Sequence, residues 1–248
     1  MSARHNGRVV AITGGAAGIG QAIAQRLAGE GARIAIADIA DAAETVDLAR
    51  RAGGEAAAFR VDIAKWDEMT AFADQVRARF GDPSIVIHCA ALQFMSTFEE
   101  LSSERWRATQ DVNVLGGFHL AKVFLPAMKA ARWGRIVMVA SSSFFAPPAR
   151  MTHYIASKGA LLGLVRGLAA EVGEFGITVN ALAPGLTRTR NAIEGVPQAH
   201  FDSVVAHQAV TRSGEPEDQA AAISFLVSDD AGFMSGQTML VDGGEGHV

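Results

Sequence analysis

A short apolar run, Val9-Val10-Ala11-Ile12-Thr13, ends in Gly14-Gly15, and a helical pattern from Gly18 to about Gly29 follows directly. Five such residues in a row read as a strand buried on both faces, as in parallel sheets. Ile19, Ile23 and Leu27 recur on one face of the helix. Between the two, Gly14, Gly18 and Gly20 permit a tight turn and let the backbone approach a pyrophosphate at a helix N-terminus. This opening restricts the chain to an α/β architecture.

The alternation continues. A second strand, 32–37, ends at Asp38, and a helix over about 41–52 leads to a strand at 56–61 that ends in Asp62-Ile63. A helix over 65–80 precedes the strand 84–90, and strands at 134–140, 178–183 and 237–242 bring the number to seven. A single long helix is expected from about Ser103 to Ala131, bent or tightly packed where Gly116-Gly117 and Pro126 interrupt it. Strands and helices alternating at this pitch imply right-handed βαβ units, a doubly wound parallel sheet with helices on both faces, and a site at the strands' carboxyl ends. The 248 residues, 49% hydrophobic, make one α/β domain spanning 1–248. Weak periodicity over about 187–213 predicts a lid, whose His200 and His207 lack metal-like spacing.

Charge narrows the partners. A net charge of −4 and a pI near 6.0 argue against nucleic acid or an anionic membrane. One cysteine, Cys89, excludes an internal disulfide and fits a reducing, cytoplasmic compartment. The polar start gives no signal-peptide pattern, and no apolar run reaches the ~18 residues of a membrane span.

Several side chains fall at strand ends. Asp38 lies at the distance from Gly20 where a carboxylate accepts both hydroxyls of an adenosine ribose. It repels a 2′-phosphate by up to ~4 kcal/mol per unit charge at ~4 Å and an effective dielectric of ~20. Neither Ala17 nor Ile39 offers a cation, so NAD is preferred over NADP. Asp62 reads either as a contact to an adenine amino group or as the N-cap of the next helix. Asn113, set among Val112, Val114 and Leu115, is either a satisfied core amide or a group that props the helix open for water or proton relay. Ser141, Ser142 and Ser143 all reach the expected cleft, and their chemistry alone does not choose among them.

Tyr154 and Lys158, four apart on a helical pattern, share a face. A free phenol ionises near ~10, and bringing that to pH 7–8 takes roughly 3–4 kcal/mol. A cation ~4 Å away at an effective dielectric of ~20 supplies about that much, so Lys158 is expected to make Tyr154 acidic.

Together, Thr13-Gly14-x-x-x-Gly18-x-Gly20, Asp38, Asp62, Asn113, Ser141, Tyr154-x-x-x-Lys158, Pro184-Gly185 with Thr189, and Val241-Asp242-Gly243-Gly244 resemble a short-chain dehydrogenase/reductase over essentially the whole chain. The resemblance implies a Rossmann-type fold and a homotetramer. It selects Ser141, thirteen residues before the tyrosine, to orient the substrate oxygen. Tyr154 becomes the acid/base, Lys158 its pKa-lowering partner and ribose ligand, and Asn113 a proton-relay group. The resemblance also puts Gly14, Gly18, Ile19 and Gly20 against the dinucleotide phosphates. Asp38, Asp62, Ile63 and Ala90 fall on its adenosine side, and Pro184, Gly185, Leu186, Thr187 and Thr189 beside its carboxamide. Where the family has Asn-Asn-Ala-Gly, this chain has His88-Cys89-Ala90-Ala91. A backbone contact from Ala90 survives there, and His88 replaces an asparagine hydrogen bond without a catalytic role.

The substrate cleft is expected to be lined by Gln93, Phe94, Met95, Ser143, Phe144, Phe145 and Met151, an apolar set without a cluster of cations. The stretches 142–154 and 176–189 are similar to NAD-dependent aryl secondary-alcohol dehydrogenases such as phenylethanol dehydrogenase, and Phe144-Phe145 is similar to pyridoxal dehydrogenase. These resemblances imply a small, largely apolar or aromatic secondary alcohol and its ketone. Competing readings are a pyridoxal-type, sugar or polyol dehydrogenase, a 3-oxoacyl-carrier-protein-type reductase, and a non-catalytic dinucleotide sensor. Asp38 and the missing basic cluster oppose the reductase, and the Ser141/Tyr154/Lys158 set opposes the sensor.

Overall fold

The computed structural model describes residues 3–246. Seven parallel strands form one sheet: β1 (Val9–Thr13), β2 (Arg33–Asp38), β3 (Glu55–Arg60), β4 (Ile85–His88), β5 (Gly134–Val139), β6 (Ile177–Pro184) and β7 (Thr238–Val241). Their order is β3-β2-β1-β4-β5-β6-β7, so the winding reverses between β1 and β4. Chains leaving those two strands diverge to opposite faces, which opens a crevice outside their carboxyl ends.

Alternation along each strand builds two cores. Val9 and Ala11 of β1 face one, with Phe72, Val76, Leu120, Phe124, Leu161 and Val165. Val10 and Ile12 face the other, with Ile23, Leu27, Val46, Ile223 and Leu226. The first layer comes from helices α3 (Trp66–Phe80), α5 (Gly116–Ala131) and α6 (Thr152–Val172), and the second from α1 (Gly18–Gly29), α2 (Ala43–Arg51) and α9 (Pro216–Leu226). Each fully buried Leu, Ile or Phe contributes about 1.5–3 kcal/mol, so a strand buried on both sides is the stable use of an all-apolar run.

The structure departs from the expected elements in three places. The long helix divides into α4 (Ser103–Gln110), a π-helical turn at Asp111–Leu115, and α5, which runs on through Pro126. Ser102 caps α4 by accepting from the Arg105 amide at 3.3 Å. The irregular lid holds two helices, α7 (Arg190–Gly195) and α8 (Gln198–His207). Helix α9, for which no element was expected, opens with Pro216 at its first turn and with the Glu215 amide donating to Asp218 at 2.8 Å. Among the described residues no helix is long and apolar enough to cross a membrane.

Candidate active site

The glycine turn is shaped by close approach. Gly14 takes φ +71° and Gly18 φ +57°, the left-handed region open to glycine. A Cβ at Gly14 would overlap the Ala90 backbone, and one at Gly20 would overlap the Gly14 carbonyl. Helix α1 begins without a side-chain cap or an acidic residue in its first turn, so its leading N–H groups are free for an anion. Asp38 accepts from the Ala16 amide and from the Ala40 amide, both at 2.9 Å, which fixes its carboxylate beside the turn. The pyrophosphate and ribose of a dinucleotide fit this donor and acceptor set. A cavity of about 150 Å³ lies over the start of α1, bounded by Gly18, Gln21, Arg188, Thr189 and Glu217.

Of the two readings of Asp62, the N-cap does not hold. Asp62 accepts from the Ala64 amide at 3.2 Å and pairs with Lys65 at 3.4 Å. Ile63 is buried, with its side chain where a Cβ on Gly116 would lie. Arg60, which sequence reasoning passed over, is the register partner of Asp38 on β3.

On the other side of the crevice, Ser141 at the end of β5 shares a hydroxyl contact with Ser143 at 2.8 Å and accepts from the Ser143 amide at 3.2 Å. Tyr154 and Lys158 lie one turn apart in α6, 8% and 1% exposed, with the ammonium 5.3 Å from the phenol ring centre. The ammonium faces the end of β5. It donates to the Val139 carbonyl at 2.7 Å. Burial pushes the phenol up to about 12, against the pull of the Ser141 hydroxyl. Burial likewise brings Lys158 down to about 8. The expected direction for Tyr154 is therefore reversed, because burial of the phenol outweighs its hydrogen bond with Ser141.

Asn113 is the satisfied core amide of the first reading, and the helix is opened around it. It lies in the π-turn, and its side chain is fully used: Oδ1 accepts from Leu92 N at 2.6 Å, while Nδ2 donates to Leu92 O at 3.1 Å and Ser157 Oγ at 2.9 Å. Its main-chain carbonyl accepts from His88 Nε2 at 3.0 Å.

The segment after β4 is stitched to the start of α6. Ser96 N donates to Arg150 O at 2.9 Å, and Phe94 stacks on His153 with centroids 4.0 Å apart. Arg105 covers the other face of Phe94 at 3.8 Å. Gln93 reaches toward Met151 sulfur at 4.0 Å, although Met151 is itself buried. Phe144 rests on Gly159, where a Cβ would meet its ring at 2.6 Å, and packs edge-on to Phe145. Met95 stands out into solvent. Of the carboxamide-side residues, Thr189 caps α7 by accepting from Ala192 N at 3.2 Å, and its methyl would lie 3.1 Å from a Cβ on Gly18. Gly185 N is bonded to Val241 O at 3.0 Å, and Thr187 Oγ1 donates to Gly185 O at 2.9 Å. Among the described residues no cluster of side chains could hold a metal ion.

Three buried histidines are held neutral. Burial lowers His5 and His153, and it brings His88 down to about 3. The unfolded chain, with histidine near ~6.5, binds more protons than the folded one between these values, so stability rises with pH there. It is complete above about pH 6.5 and is lost as pH falls toward 3. At pH 4.5 His88 alone accounts for about 3 kcal/mol, a drop of roughly 6–12 °C in thermal midpoint from pH 7. Melting curves by circular dichroism check this, and an unchanged midpoint down to pH 4.5 would refute it.

A family model described as enoyl-(acyl carrier protein) reductase matches residues 14–245. The chain is 37% identical to an uncharacterized oxidoreductase of Thermotoga maritima, over 96% of this chain and 97% of that protein. It is 36% identical to the 2,5-dichloro-2,5-cyclohexadiene-1,4-diol dehydrogenase of Sphingobium indicum, again over 96% and 97%. The crystal structure of gox2181 superposes with a TM-score of 0.92 at 30% identity, covering 98% of this chain and 97% of that one.

Proposed function

The chain belongs to the short-chain dehydrogenase/reductase family, and from that premise we propose that it is an NAD(H)-dependent oxidoreductase for a small, largely apolar or aromatic secondary alcohol and its ketone. The observation that carries the reading is Tyr154 and Lys158 buried one turn apart beside Ser141, across the crevice from the glycine turn. A nicotinamide cofactor, when bound, would supply the hydride chemistry at the carbinol carbon in either direction. Tyr154 gives its proton to the carbonyl oxygen in reduction and receives it in oxidation. Ser141 holds that oxygen by hydrogen bonding. Lys158, anchored on Val139, holds its charge in the floor of the site and meets the ribose.

The Asp38 carboxylate supports NAD over NADP through its fixed negative charge. The Phe94, Phe144 and Phe145 rings support an apolar substrate, and the Sphingobium relative is named for a cyclic diol, a small secondary alcohol. A homotetramer is supported by the exposed rings of Phe118, Trp66 and Phe233, and a cytoplasmic setting by the single free thiol. The test is absorbance of reduced cofactor over a panel of secondary alcohols, 1-phenylethanol included, with NAD⁺ and NADP⁺ in parallel. NAD⁺ reduction with aryl or alkyl secondary alcohols is expected, and silence across the panel and its ketones would sink the reading.

A further inference from the structure

At the end of β4 a fully buried imidazole stands where the family pattern has asparagine. Its Nε2 lies 3.0 Å from the Asn113 carbonyl, which can only accept, so Nε2 carries the proton. Its Nδ1 then accepts from the Thr13 hydroxyl at 2.9 Å, directly before the glycine turn. The ring's shape is accommodated as well as its polarity. A Cβ on Gly117 would meet His88 Cδ2 at 2.9 Å, so α5 approaches the sheet closely because that residue is glycine. The Asn113 carbonyl lies within the π-turn and accepts from the imidazole there. From Asn113 the chain of bonds continues through Nδ2 to Ser157 at 2.9 Å and from Ser157 to the Tyr154 carbonyl at 2.6 Å.

We propose that His88 is a positioning residue that couples the dinucleotide's glycine turn to the Tyr154 helix through one neutral imidazole bonded to Thr13 and to the π-turn. The role rests on the dehydrogenase reading for its kinetic consequence, but the coupling itself is a property of the fold. Nothing titrates in it: Lys158 is the one charge acting on His88 from the packed elements, and it opposes a second proton on the ring. An apolar residue of similar bulk removes both bonds, leaving the Thr13 hydroxyl with only the long 3.5 Å bond from the Ala90 amide and the Asn113 carbonyl without its imidazole donor. An asparagine is too short to span both partners.

The test compares the wild type with His88→Leu, or with His88→Asn should the leucine variant not fold. Hydrogen exchange of amides 111–117 is followed with and without NADH, and NADH affinity is measured by calorimetry. In the wild type NADH is expected to slow exchange in the π-turn several-fold. In the variant that slowing is lost while NADH affinity stays within about threefold. With 1-phenylethanol, kcat is expected to fall ~10–100-fold and KM to change little, since small misplacements of reacting groups cost rates of that order. Persistence of the slowing in the variant, or its absence in the wild type, overturns the proposal. Loss of thermal stability alone, with kcat and coupling intact, makes His88 a packing residue and overturns it equally. If no alcohol is oxidised by the wild type, the dehydrogenase reading fails, and the exchange comparison alone decides this one.

Discussion

Tyr154→Phe is expected to lower kcat ~10²–10⁴-fold and to leave NAD(H) affinity within about threefold, because it removes a proton donor and little else. The phenyl ring keeps its place beneath the Lys158 ammonium, 5.3 Å from the ring centre, so the fold is spared. Stopped-flow or steady-state rates with a responsive alcohol, set beside calorimetric cofactor binding, give the two numbers. A variant at full rate would remove Tyr154 from the chemistry. The same residue offers a second check, because it is the sole tyrosine in the chain. Ultraviolet titration of the ligand-free protein should find its ionisation pushed up toward about 12. In this state the phenol is a competent acid for ketone reduction and a poor base. Alcohol oxidation should accordingly climb with pH well past neutrality. A titration midpoint of 7–8 without ligand would restore the view that Lys158 alone acidifies it.

Asp38→Asn is expected to raise the NADP⁺/NAD⁺ ratio of kcat/KM by ~10–10³-fold. The Ala16 and Ala40 amides hold the wild-type carboxylate in one orientation, so its charge cannot swing away from an incoming 2′-phosphate. Removing one charge at about 4 Å and an effective dielectric of ~20 relieves up to ~4 kcal/mol, and solvent screening brings the effect to the lower part of that range. Arg60, the register partner of Asp38 on β3, would then act on the phosphate without an opposing anion. A wild type that prefers NADP⁺ from the start would contradict the assignment.

The strands were legible because a parallel sheet buries both faces, so Val9–Thr13 and Arg33–Asp38 announce themselves as apolar runs. The glycine turn was legible because only glycine tolerates its contacts. Helix α9 was missed although Glu215-Pro216-Glu217-Asp218 is a helix start in plain view, because its buried face mixes Gln219 and Ser224 with Ile223 and Leu226 and blurs the periodicity. The π-turn was half legible: Asn113 among apolar neighbours pointed to an opened helix, but the groups that stabilise the opening, His88 and Leu92, are distant in sequence. The direction of the Tyr154 shift was misread for the same reason. Spacing gives the distance to a charge, but burial belongs to the folded chain.

The segment carrying α7 and α8 is fastened at both roots. Thr187 bridges to Gly214, Arg188 N donates to Gly214 O at 2.8 Å, and Val210 N donates to Gly243 O at 2.8 Å. These bonds tie the two ends of the segment to one another and to the turn after β7, so any displacement of α7 and α8 is expected to carry the segment as one piece. Its first free residue is Thr189, whose methyl sits on Gly18 at the threshold of the dinucleotide's seat. If the proposed coenzyme binds at the glycine turn, moving this segment and uncovering the turn would be one event, and the coenzyme is expected to bind first and leave last.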